Sequence, residues 1–92
     1  MQVVWTSRAI ADLTEIRQFI DLDKPSAARR VARRILSSVE LLSKHPHLGH
    51  PGREPGTREL GVPQFPYIVC YTVHRNRLAI LAVLHTSRKR NG

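Results

Sequence analysis

This 92-residue chain predicts an α+β fold, with an antiparallel helical hairpin on one face of a mainly antiparallel sheet of about four strands. Three observations carry that prediction. Apolar residues recur at helical spacing through two stretches separated by Asp23-Lys24-Pro25. β-branched and aromatic residues gather at positions 2–5 and again between 57 and 85. Between the last two of those runs stands Arg75-Asn76, a pair suited to a tight hairpin turn in which Asn76 adopts a left-handed conformation.

The elements follow in order. Residues 2–5 form a short first strand. Ser7 stands where an N-cap belongs, its hydroxyl available to a free amide of the next turn. Ala9, Leu13, Ile16 and Ile20 then mark one face of a helix ending near Leu22. Pro25 suits the first turn of a second helix, whose stripe of Ala28, Val31, Ala32, Ile35, Val39 and Leu42 runs to about Ser43. So short a link makes the two helices an antiparallel hairpin. From His45 to Thr57, three prolines and three glycines exclude helix or a central strand, and a connection of that length is usually functional or mobile. Strands are expected at 57–62, 66–73 and 78–85. In the second of these, Tyr67, Val69, Tyr71 and Val73 share one face, and Ile68, Cys70 and Thr72 the other. The last is apolar on both sides as far as His85, so it should be central and covered on both faces. Residues 86–92 form a basic, loose tail of what reads as a single domain spanning 1–92.

Size and composition narrow the function. At 10.5 kDa a second core has no room. The longest uninterrupted apolar run is far short of a bilayer span, no charged-then-apolar leader opens the chain, and one cysteine excludes an internal disulfide framework. A cytoplasmic protein with no membrane partner is expected. The net charge of +8 is unevenly distributed, with −2 over residues 1–23 and +10 over the remainder, and twelve of the fifteen basic residues are arginine. Such a field attracts nucleic acid or an acidic protein, and arginine's planar fork favours paired contacts to phosphate or carboxylate. On the second helix Arg29, Arg30, Arg33 and Arg34 stack one turn apart, opposite the apolar stripe. They form either a target-binding ridge or a solvated face partly neutralised by acids of the first helix.

Few recognised chemistries fit. His45, His47 and His50 invite a metal, but their spacing on a Pro/Gly loop without cysteine matches no closed-site pattern, so neither metal nor cofactor is expected. No phosphate-cradling Gly-x-x-x-x-Gly-Lys and no nucleophile elbow is present. What remains is Arg53, Glu54, Arg58, His85 and Arg88, which strand pairing could gather at one end of the sheet. Cleaving RNA through its 2′-hydroxyl needs a base, an acid and a cationic clamp; Glu54 or His85 would serve as acid or base, Arg58 or Arg88 as clamp. The plainer alternative makes Arg58 an ordinary strand residue and His85 a strand end.

Several strings spread over nearly the whole chain resemble the RelE/ParE superfamily of bacterial type II toxins: "SRAIADLTEIRQFI", "PSAARRV", "HPHLG", "GREPGTREL", "PYIVCYTV" and "AILAVLHTSR". The resemblance implies a helical hairpin against a curved antiparallel sheet and a cognate antitoxin whose extended segment wraps the toxin. RelE-like members cut messenger RNA in the ribosome, whereas ParE-like members poison DNA gyrase without nuclease residues. Where RelE-like toxins carry a phosphate-contacting arginine in a "YRLVY" string, this chain has Ile68, and no tyrosine follows its last strand. Both departures, with "GTREL" and "VLH..R", resemble the ParE-like branch. Glu54-Pro55 and His85 resemble parts of the ribosome-dependent nucleases, which keeps an mRNA endoribonuclease as the alternative. An inactive relic that still binds antitoxin is a third reading. By the ParE-like reading Arg53, Arg58, His85, Arg88, Arg29 and Arg33 are the target- or antitoxin-binding residues. The antitoxin is expected to be acidic and partly helical, and to cover the sheet and the basic surface.

Overall fold

A computed structural model describes residues 1–89, Arg88 and Lys89 through their backbone alone. Val3 and Trp5 direct their side chains into the core from β1 (Gln2–Trp5), and the chain then turns directly into α1 (Ser7–Asp21). The cap is Thr6 rather than Ser7. Its backbone is extended (φ −70°, ψ 160°), and its hydroxyl accepts the Ala9 N–H at 3.1 Å while donating to the Ile80 carbonyl at 2.8 Å. Thr6 prevails because it is still held against the sheet, its own N–H donating to the same carbonyl, so one hydroxyl ends the strand and starts the helix.

Lys24, held extended by the following proline, separates α1 from α2 (Pro25–Lys44). The expected stripe of α2 is buried at Ala28, Val31, Ile35, Val39 and Leu42. Full burial of side chains such as Ile35 and Leu42 stabilises the fold by about 1.5–3 kcal/mol each. Beyond α2 come β2 (His50–Pro51), β3 (Arg58–Gly61), β4 (Tyr67–His74), β5 (Arg77–His85) and the single turn α3 (Thr86–Lys89). The sheet order is β1-β5-β4-β3-β2, antiparallel throughout except for the parallel β1–β5 pair. The fold class is the expected one, with a fifth strand added: β2, two residues on the outer edge, where a proline is tolerated. Arg75 and Asn76 both take positive φ, at 47° and 58°, as a primed hairpin turn requires. As for the tail, residues 86–89 are helical, and 90–92 lie outside the described residues.

A bulge in β5 sets which side chains face the helices. Cys70 pairs with Ala82 but Tyr71 pairs with Ile80, leaving Leu81 without a residue opposite. The extra residue shifts the alternation, so Leu78 and Ile80 before it and Val83 and His85 after it share one face with Tyr67, Val69, Tyr71 and Val73. Both helices pack on that face. The expectation that β5 is covered on both sides is half right: it is central, but its other face, with Val4, Ala79 and Leu84 beside Ile68 and Cys70, carries neither α1 nor α2 and is largely half-buried.

The connection after α2 is anchored rather than structureless. Tyr71, fully buried, donates its hydroxyl to the Pro46 carbonyl at 2.8 Å and accepts the Gly49 N–H at 2.9 Å. Arg58 adds Nη1 to the Gly49 carbonyl at 2.7 Å. Gly49 is required at this spot, since a Cβ there would sit 2.5 Å from the Tyr71 hydroxyl and 2.7 Å from the Glu59 carbonyl oxygen.

Candidate functional site

The largest cavity, about 540 Å³, is a groove between α1 and the far end of the sheet. Asp12, Glu15, Ile16 and Phe19 line it from α1, at the i, i+3, i+4 and i+7 positions of one helical face, and Tyr67, Val83, His85 and Ser87 line it from the sheet and α3. It exists because β1 stops at Trp5, opposite Ile80, so β5 runs on past its neighbour with an open edge. Asp12 closes part of that edge by accepting the Val83 N–H at 2.9 Å, and its carboxylate also lies 3.6 Å from Arg8. An acid at this place blunts the edge against strand addition. Phe19 stands at the rim with 76% of its surface exposed. In a chain of net charge +8, this groove is apolar with two acids.

Tyr67 and His85 meet edge to face, ring centroids 5.5 Å apart. Burial pushes the Tyr67 phenol above its ordinary 10.0. As pH rises the unfolded chain gives up that proton first, so the stability held by neutral Tyr67 is complete below about pH 10 and falls as pH climbs past it. Thermal melts across this range should show a shallower alkaline decline for Tyr67→Phe than for the wild type; identical slopes would remove Tyr67 as the cause. His85 Nδ1 accepts the Ser87 N–H at 3.1 Å with the Ser87 hydroxyl at 2.8 Å, which leaves Nε2 as the nitrogen carrying the ring proton.

The residues proposed from sequence as one cluster are not gathered. Arg58 pairs with Tyr71 and His85 with Tyr67, four positions apart on β4 and so roughly 13 Å along the strand. Arg53 and Glu54 are exposed on the loop before β3, where the Glu54 carbonyl accepts the N–H and hydroxyl of Thr57. The side chain of Arg88 lies outside the described residues. Arg58 is half-buried against a carbonyl, with no carboxylate in ion-pair range among the described residues, so the expected buried charge pair is absent. Arg58→Ala should therefore lower stability by about 1.5–3 kcal/mol, the worth of a charged hydrogen bond, rather than the larger cost of stranding a partner charge. Denaturant titration would measure it, and a wild-type midpoint would move Arg58 to a purely functional role. Arg29 and Arg33 are exposed on α2, where no acid of α1 pairs with them among the described residues. Nor do three or more His, Cys, Asp or Glu of the described residues converge into a group able to hold a metal.

A family model described as the ParE toxin of type II toxin-antitoxin systems, parDE, matches residues 3–90. The chain belongs to the ParE toxin family. It is similar to "Putative toxin Y4kP" of Sinorhizobium fredii, with 41% identity over 96% of this chain and 91% of the relative. It is also similar to Toxin RelE2 of Caulobacter vibrioides, with 37% identity over 95% and 97%. Among solved structures, the chromosomal ParDE system from P. aeruginosa contains a chain that superposes with a TM-score of 0.84 at 26% identity, covering 92% of this chain and 95% of that one. This ParE-family toxin thus carries a groove that the sequence reading missed at Asp12, Glu15, Phe19 and Tyr67. The signal was present: an acid, an acid–isoleucine pair and a phenylalanine recur on one face of α1 next to its apolar stripe.

Proposed function

We propose that this toxin inhibits DNA gyrase in the cytoplasm and is neutralised by a cognate antitoxin. Membership of the ParE family supports the antitoxin partner. The observation that carries the choice of target is the separation of the candidate nuclease groups. A base, an acid and a clamp must meet around one phosphate, whereas Arg58 and His85 lie at different ends of the sheet. At the strand position where an arginine would be needed, Ile68 is 7% exposed on the face away from the helices. His85 presents a protonated Nε2, a donor rather than a ready base. Gyrase inhibition needs only a complementary surface.

The antitoxin has two unfilled surfaces to cover, the acidic–apolar groove at Phe19 and the half-buried outer sheet face. A segment acidic overall, suited to the +8 charge, that places apolar side chains against Ile16, Phe19 and Tyr67 fits both. The toxin expressed alone is expected to arrest growth and aggregate readily; a soluble, monomeric and harmless product would argue for the inactive relic.

The test of the target is purified toxin with gyrase and relaxed plasmid, run beside a translating-ribosome cleavage reaction. Supercoiling should stop while messenger RNA stays intact. Unaffected gyrase with discrete cuts in ribosome-bound message, lost in Glu54→Gln or His85→Ala, would assign the protein to the ribonuclease branch instead.

A further inference from the structure

A second concavity lies on the opposite side of the hairpin from the groove's acids, between α2 and the turn leading into β4. Arg30, Arg33 and Arg34 line it with Ser37, Gln64 and Phe65, around a volume of about 250 Å³. Two of the three guanidinium groups are held in place by neutral neighbours. Arg34 Nη2 donates to Gln64 Oε1 at 3.0 Å, and the Arg30 guanidinium lies over the Phe65 ring, 6.0 Å from its centroid. Such contacts orient the charges without cancelling them. Among the described residues no carboxylate pairs with any of the three. Gln64 itself sits at φ 72°, a conformation that glycine adopts without strain and glutamine does not. The backbone is thus strained to bring an amide side chain against Arg34.

The geometry points to this Arg30–Arg33–Arg34 pocket as a phosphate site that holds the backbone of duplex DNA. A phosphodiester accepts from several guanidinium forks at once, whereas a carboxylate is satisfied by one. Arg30 and Arg34 are one helical turn apart, about 6 Å, which matches the spacing of successive phosphates along a strand. Arg29 extends the line on the outer side of the helix. Single-stranded nucleic acid is the weaker fit, because it calls for a series of aromatic platforms and only Phe65 is present here. The site stands on its own residues and holds whichever enzyme the toxin inhibits.

The experiment is fluorescence anisotropy of the full-length chain with a labelled duplex of arbitrary sequence at a series of salt concentrations. Each arginine that neutralises a phosphate contributes about 0.9 to the slope of log affinity against log salt. Arg30→Ala with Arg34→Ala should therefore lower the slope by about 1.8 and weaken binding on the order of fifty-fold at about 0.1 M salt. Arg17→Ala with Arg77→Ala removes the same charge from exposed positions elsewhere and should change the slope far less. Gln64→Gly relaxes the backbone and releases Arg34, so it should weaken DNA several-fold without lowering the melting temperature. Equal losses in the two double variants would reduce the site to general charge and overturn the proposal. So would arginine-dependent binding of polyglutamate with DNA affinity unchanged, or single-stranded RNA binding tighter than the duplex.

Discussion

Tyr71→Phe is expected to destabilise the fold by about 2–4 kcal/mol while leaving its packing volume intact. The hydroxyl it removes is fully buried and serves two partners, the Pro46 carbonyl and the Gly49 N–H. Each loses its hydrogen bond, at about 1–3 kcal/mol for a group that water cannot reach. For a domain of this size the total stability is about 5–15 kcal/mol, so the loss is a large fraction of it. Gly49→Ala attacks the same contact from the other side, because its methyl group would sit against the Tyr71 hydroxyl and the Glu59 carbonyl; a cost of about 1–3 kcal/mol follows from overpacking. The double variant should cost less than the two single losses combined, since both break one junction. Urea titration of the three variants checks this. A shift under about 0.5 kcal/mol for Tyr71→Phe would mean that the loop rehydrates without the hydroxyl.

The second large effect concerns neutralisation. Phe19→Asp should leave the toxin folded and active, because the ring is 76% exposed and little packing is lost, but it should weaken the antitoxin by a hundredfold or more. A central aromatic anchor removed from an interface typically costs about 2–4 kcal/mol, and here a third acid joins Asp12 and Glu15 in the same groove. In cells the variant would kill even with antitoxin co-expressed. Titration calorimetry with purified antitoxin gives the affinity directly. Full neutralisation of the variant would place the antitoxin on the outer sheet face alone.

Helices, hairpin and three of the strands were legible because each rests on local periodicity: the α1 and α2 stripes, the alternation in β4 and the turn at Arg75-Asn76. Three features were not. The two residues of β2 are too few to show a period and acquire their strand character only from the partners Arg58 and Glu59. The bulge at Leu81 is invisible in a run that is apolar on both faces, yet it decides that Val83 and His85 face the helices. The functional cluster around Arg58 and His85 failed because sequence proximity to a sheet does not say which end of it a residue occupies. The basic ridge of α2 was legible, but its pocket was not, since Gln64 and Phe65 come from a turn some thirty residues later.

The position of β5 has a consequence for the order of synthesis. It is the strand between β1 and β4, and it is built from residues 77–85. While a ribosome is still translating the first seventy residues, β1 has no neighbour to join and the apolar stripes of both helices lack half the surface they cover in the finished fold. Contacts between Gln2 and Arg77 form across most of the chain, the kind of long-range pairing that is slow to assemble. The hairpin of helices can coil early, but the sheet closes in a single late step once β5 has emerged. A nascent toxin is therefore inert for most of its own translation, and an antitoxin already present in the cell meets it before or as it first becomes harmful.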